Sequence, residues 1–153
     1  MPIVKTKEYG DIQVSDENKI VFKKPIFGFE HLIEYYLIIL NEPEQFSLLQ
    51  SKDDENISFM LTQPRLFVSD YILDIDDLDA GLLEIEDHND IIDYAIVTIP
   101  EKIEDITMNI LGPIVINNKN NFAVQSISNT PHYDTKCRLF QKDSATIVEL
   151  ETI

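Results

Sequence analysis

Apolar and polar residues alternate with period two in several stretches of this chain. Ile57, Phe59 and Leu61 alternate with Ser58, Met60 and Thr62, which predicts a strand buried on one face. Tyr71, Leu73 and Ile75 repeat the pattern, as do Leu83 and Ile85 against Glu84 and Glu86, so both segments are predicted as strands. Residues 94–99 (YAIVTI) are apolar throughout, the pattern of a central strand. Further strands are predicted at 12–14 and 19–22 around a turn at 15–18, and at 35–40 and 46–50 around a turn at 41–44. Residues 51–56 (SKDDEN) form a polar turn, and residues 117–121 an Asn-rich hairpin loop between strands at 113–117 and 122–127. A last strand is expected at 137–140. Pro25 removes a backbone donor and Gly28 permits unusual dihedrals, so 23–30 reads as a loop. Helical signal is weak, with short helical turns at 30–34, 76–80 and 88–93. Many short strands with turn signals predict a mainly β, single-domain antiparallel β-barrel-like fold with a few short helices. The domain is expected to span 1–141, with 142–153 a polar tail.

Composition adds a constraint on partners. The 153 residues are 44% hydrophobic, enough for a core, yet 12 basic residues face 28 acidic ones for a net charge of −16. Binding a phosphate backbone requires Lys and Arg, so nucleic acid is disfavoured as a direct partner, and an anionic membrane surface on the same ground. A basic protein partner is favoured, because opposite fields raise encounter rates; the plainer role of the charge is solubility. Cys137 is the single cysteine and excludes an internal disulfide. The N-terminal residues lack the regions of a signal peptide, and no apolar run nears the roughly 20 residues of a membrane span. The expectation is a cytoplasmic protein.

No constellation supports catalysis. Asp74, Asp76, Asp77 and Asp79 precede Gly81, but a calcium loop started at Asp74 would place Asp79 where glycine is needed and Ile85 where glutamate is needed. That run is expected to be a solvated acidic edge. With 28 acidic residues, some carboxylate pair at hydrolase spacing arises by chance, and the chain has no Trp to serve as a sugar platform. His31, His88 and His132 have no metal-site spacing. Lys136 and Arg138 flank Cys137, but neighbours on a strand point to the opposite face, so a packed, inert cysteine is expected. The four glycines are too dispersed for a phosphate loop. No enzyme activity, cofactor or metal is expected.

Several motifs, in order, carry a resemblance. Phe27-Gly28-Phe29-Glu30 resembles the PGFE loop of the FliW flagellar assembly factors, and Leu48-Leu49-Gln50-Ser51 the LQS that ends a strand in that family. Pro64, Phe67 and Tyr71 are similar to its P-x-x-F…Y segment, and residues 96–100 (IVTIP) to its central strand. Residues 107–117 (TMNILGPIVIN) resemble its most characteristic stretch, and Gln125 and Tyr133 fall where a later Gln and Tyr are expected. Within 107–117 the expected architecture is a loop broken at Gly112-Pro113, a buried strand and an Asn-ended hairpin. Asn109 and Asn117 are expected to brace turns rather than touch partners. Phe27 stands where the family often has Pro, Ile110 where it has Leu, and Gln63 where an acidic residue is common. Together the motifs cover roughly 12–140.

The resemblance implies a non-catalytic regulator. Similar proteins bind CsrA, a small basic RNA-binding regulator, and prevent it from repressing flagellin mRNA. They act non-competitively, beside the RNA surface, and newly made flagellin takes them away. The implied partners are therefore CsrA and flagellin, with no cofactor, and a monomer is expected when free. Glu30, Asp53, Asp54 and Asp70 are candidate contacts for the basic partner. Phe27, Phe29 and Tyr71 are candidates for an apolar groove that receives amphipathic flagellin helices. One rival is a flagellin chaperone without a regulatory arm; a remoter one is a small-molecule-binding or hydrolytic β-barrel.

Overall fold

The computed structural model describes residues 2–40 and 45–140. The turn expected at 41–44 and the tail expected at 142–153, with its boundary, lie outside the described residues.

Strands β3 (Lys19–Lys24), β4 (Glu34–Ile39), β5 (Phe46–Ser51), β6 (Ser58–Thr62), β7 (Ile91–Thr98) and β8 (Thr107–Asn117) each pair antiparallel with the next. The last strand of the ring, β9 (Phe122–Gln125), folds back antiparallel on β8 and lies parallel to β3. This closes a barrel of seven strands. The single parallel seam departs from the expected all-antiparallel barrel. It arises because β9 returns through a tight hairpin and meets the first barrel strand running the same way. An outer hairpin of β1 (Ile3–Thr6) and β2 (Gly10–Gln13) lies on β4, and a two-residue strand, β10 (Cys137–Arg138), pairs with the start of β8.

Alternation places one residue set inside and the other outside, and both sets find cover. Tyr35, Leu49, Leu61 and Ile114, fully buried, fill the interior with Ile20, Phe22 and Ala123. Each large apolar side chain taken from water contributes about 1.5–3 kcal/mol. Met60, Val97, Met108 and Ile110 point outward and are covered by Tyr71, Phe67 and Leu139. Strand β6 is therefore apolar-covered on both faces, not on one. The third cover is α1 (Asp77–Leu83), which seats Leu83 on Val115 and Val124 outside the seam.

Several predicted elements come out differently. Residues 71–76 pack Tyr71, Leu73 and Ile75 against the outer core and α1 but join no ladder. Residues 83–86 are a helix end, with Leu83 closing α1 and Glu84 in the left-handed region at φ 55°. The turn at 15–18 contains a 3-10 turn at Asp16–Asn18, the short helix expected at 88–93 is a 3-10 turn at His88–Asp90 followed by the start of β7, and 30–34 forms no helix.

Thr107–Asn117 is one continuous strand rather than a loop followed by a strand. The break lies in the pairing: Tyr94 faces Ile114 and Ile96 faces Asn109, so residues 110–113 bulge opposite Ala95. The Asn109 side chain holds the bulge by accepting bonds from the Leu111 (3.1 Å) and Gly112 (2.8 Å) amides. Gln125 Nε2 donates to the Gly112 carbonyl at 3.1 Å. A Cβ on Gly112 would sit 3.1 Å from Gln125 Nε2 and 3.3 Å from Asn109 Nδ2, so both bonded side-chain amides would have to give by a few tenths of an ångström. Pro113, fully within the strand, needs no ladder donor there. At the far end, Asn117 Nδ2 donates to the Leu83 carbonyl at 2.9 Å and its Oδ1 accepts from the Lys119 amide at 3.0 Å. Asn109 and Asn117 thus each bond backbone groups, at the bulge and at the hairpin end of β8.

Gly112→Ala should lower stability by about 1–3 kcal/mol, the usual cost of overpacking a close-fitted site. Urea unfolding checks this; an unchanged midpoint would mean that the two amides give way freely.

Candidate functional site

Barrel connectivity sorts the candidate residues. The β3–β4 and β5–β6 connections leave the same end of the barrel, so Phe27–Glu30 and Asp53–Asp54 share it. The chain bond from the Lys52 amide to the Glu34 carbonyl, 3.0 Å, ties the two loops together. Asp70 and Tyr71 lie on the long β6–β7 connection, which starts from the opposite end and runs along the outer wall.

Gly28 shapes the first loop. Its φ of 91° is a conformation that suits glycine, and its amide donates to Glu30 Oε1 at 3.1 Å. That backbone bond holds the Glu30 carboxyl below its ordinary range and its charge in place. Phe27 is 86% exposed, while its amide donates to Gln125 Oε1 at 2.7 Å. The rigid backbone thus holds a large apolar side chain out in solvent. Phe29 does not join it. Its ring packs edge-on against Phe59 at 5.1 Å and belongs to the barrel core.

The second loop is braced from beneath. The fully buried Gln50 donates through Nε2 to the carbonyls of Asp54 and Glu55, both at 3.3 Å, and Ile57, at 3.1 Å. Ser51 Oγ accepts from the Asp53 and Asp54 amides at 3.2 and 3.1 Å. The Asp54 carboxylate is partly spent on the turn, accepting from the Asn56 amide at 3.0 Å. Asp53 is exposed and has no such duty among the described residues.

Tyr71 is a correction. It is 3% exposed, stacked on Tyr133 at 4.9 Å, with the Arg65 guanidinium 5.3 Å over its ring. Its phenyl face is consumed by the outer core, so it offers no partner surface. Asp70 beside it is exposed in a turn. The expected groove of Phe27, Phe29 and Tyr71 does not form.

The acidic run at 74–79 is also not simply a solvated edge. Asp76 caps α1, accepting from the Asp79 amide at 2.8 Å. Asp79 is 0% exposed and takes bonds from Lys24 Nζ at 3.1 and 3.3 Å and from Ser126 Oγ at 2.8 Å. A buried carboxylate persists only when paired in this way. The legible signal was the cap: Asp76, three residues before Asp79, ahead of Leu82 and Leu83. Exposed Leu78 and Ile127 were missed, because nothing in an isolated apolar residue marks it as solvent-facing.

Chemistry finds no centre here. Among the described residues, no group of three or more His, Cys, Asp or Glu could hold a metal ion. The cavity at the barrel's other mouth, about 170 Å³, is lined largely by Ile20, Leu37, Ile39, Ile92, Tyr94 and Ile116. Cys137 is half-buried in the outer core, and burial pushes its thiol up, away from the reactive thiolate. No helix among the described residues is long and apolar enough to cross a membrane.

The family model described as FliW protein matches residues 3–139. The chain belongs to the FliW family. The protein named flagellar assembly factor FliW of Caldanaerobacter subterraneus subsp. tengcongensis is 42% identical over 130 residues, covering 84% of this chain and 86% of that one. The Bacillus subtilis protein of the same name is 34% identical over 134 residues, covering 88% and 93%. A crystal structure of the flagellar assembly factor FliW superposes with TM-score 0.85 at 31% identity, covering 93% of this chain and 99% of that one. The FliW barrel and the bulged, Asn-braced strand β8 are thus described in this chain over nearly the whole matched span.

Buried tyrosines give this FliW chain an alkaline limit. Burial pushes the Tyr35 phenol up to about 12, and raises Tyr71 and Tyr94 in the same direction. An unfolded tyrosine ionises at about 10. Their contribution to stability is therefore complete below about pH 10 and is lost as pH rises towards about 12. Phenolate absorbance from these three should appear together with loss of the β-sheet circular dichroism. Ionisation of all tyrosines while the sheet signal persists would contradict it.

Proposed function

We propose that this protein is a cytoplasmic flagellar assembly factor that works by protein binding. It binds the basic RNA-binding regulator CsrA and antagonises, non-competitively, its repression of flagellin mRNA. Flagellin is the switch: it binds the factor and frees CsrA. FliW-family membership across residues 3–139 carries this reading. The charge is compatible with it. Among the described residues, Glu34, Asp79, Asp93 and Asp105 are the acidic partners in ion pairs, against 28 acidic residues in the chain. Much of the negative charge is left to act outward.

Asp53 and Asp54, on their braced turn, and Glu30 at the same end are the proposed contacts for CsrA, with Asp70 a further one on the outer wall. Rigid acids lose little entropy on docking and repel RNA phosphate nearby. Antagonism of this kind is reciprocal, so RNA should weaken the factor's hold on CsrA by the same factor.

Calorimetry with purified CsrA and purified flagellin, at low and high salt, tests the reading. Heat with flagellin but none with CsrA would leave a flagellin chaperone in its place. Asp53→Lys should weaken CsrA binding about five- to tenfold at low salt, in line with a close charge pair of about 1 kcal/mol or more. Asp54→Asn is the matched variant, since an amide oxygen still accepts from the Asn56 amide while the charge is gone. Unchanged CsrA affinity in both variants would remove this turn from the interface.

A further inference from the structure

Three exposed apolar side chains, far apart in sequence, are carried on segments that hydrogen bonds draw to one corner. Phe27 (86% exposed) follows Lys24, Leu78 (70%) precedes Asp79, and Ile127 (58%) follows Ser126. Lys24 and Ser126 both bond the buried Asp79 carboxylate, at 3.1 and 2.8 Å, which fixes the first turn of α1 to the ends of β3 and β9. Gln125 Oε1 accepts the Phe27 amide at 2.7 Å, closing the third side. Aspartate burial is costly, and here it holds together a surface whose exposed members are apolar. Exposed apolar residues scattered singly are ordinary; what sets these three apart is that hydrogen bonds bring their segments together at one corner.

The rim is acidic. Glu30, Asp76 and Asp77 are exposed, and Asp74 is partly so. The lysines on this side are engaged, Lys24 with Asp79 and Lys23 over the Phe122 ring at 4.1 Å. Charge complementarity therefore selects an occupant with basic residues beside its apolar ones.

We propose that Phe27, Leu78 and Ile127 form a docking patch for an amphipathic helix of a protein partner whose apolar ridge is flanked by lysine or arginine. This rests on the reading of the protein as a partner-binding factor, and deepens it by moving the apolar contact away from Phe29 and Tyr71. The patch and the Asp53–Asp54 turn share one end of the barrel, with Glu30 at their common edge, but Phe27, Leu78 and Ile127 themselves are distinct from Asp53 and Asp54, so the two partner classes are separable by mutating those side chains.

The triple variant Phe27→Ser/Leu78→Ser/Ile127→Ser tests it, with purified flagellin as the helical probe and CsrA as the comparison. All three side chains are largely exposed, so the melting temperature should hold. Flagellin affinity should fall at least about tenfold, while CsrA affinity stays within about twofold. Flagellin binding equal to the parent's overturns the patch, as does an equal loss for both partners. Asp77→Lys should weaken the flagellin complex several-fold at low salt and little at high salt. Affinity unchanged at low salt overturns the basic flank. If the parent binds neither probe, the reading beneath the proposal fails and the patch falls with it; if only the variants behave as the parent, the patch alone fails.

Discussion

Seven strands hold together as a ring through four residues. Phe122–Gln125 must pair with β8 on one side and β3 on the other, and both ladders end within a few positions. A strand this short has little ladder of its own, so side chains on its two faces stabilise it. Ala123 is buried in the barrel and Val124 under α1, while Gln125 reaches both the Gly112 carbonyl and the Phe27 amide. The bulge in β8, the seat of α1 and the posture of the Phe27 loop all trace back to this seam. Removing any one would leave donors or acceptors without partners in a region that water enters poorly.

Most strands were legible because their alternation reflects a real inside and outside. The misreadings have physical causes. Residues 71–76 turn Tyr71, Leu73 and Ile75 towards the protein and leave Ile72 exposed, so their sequence reads with period two, yet they join no ladder. At Leu83–Ile85, alternation came from a helix terminus, where Leu83 faces the core and Glu84 takes a left-handed cap. Asp79 was read as solvated because charge is exposed by default; its burial depends on Lys24 and Ser126, 55 and 47 positions away, which no local pattern reveals. Tyr71 failed as a contact for a similar reason, since the Tyr133 ring that covers it lies far along the chain.

At the candidate site, the sequence carried the loops but not their division of labour. Glycine at 28 and the polar run at 51–56 marked a loop and a turn, and both are held by local hydrogen bonds. What distance in sequence concealed was which members are spent internally. Phe29 serves the core, Asp54 partly serves its own turn, and Asp53 and Phe27 are left to face outward.

The parallel seam also sets an order of events in time. Val21 pairs with Phe122, residues separated by roughly a hundred positions, and contacts of that range form late because the loop-closure entropy must be met first. During synthesis, β3 emerges long before its partner exists. The corner built from residues 24–27, 76–79 and 125–127 cannot assemble until the ribosome has passed most of the chain. A nascent or truncated chain would therefore present the acidic loops without the apolar corner, which would arrive only with the finished barrel.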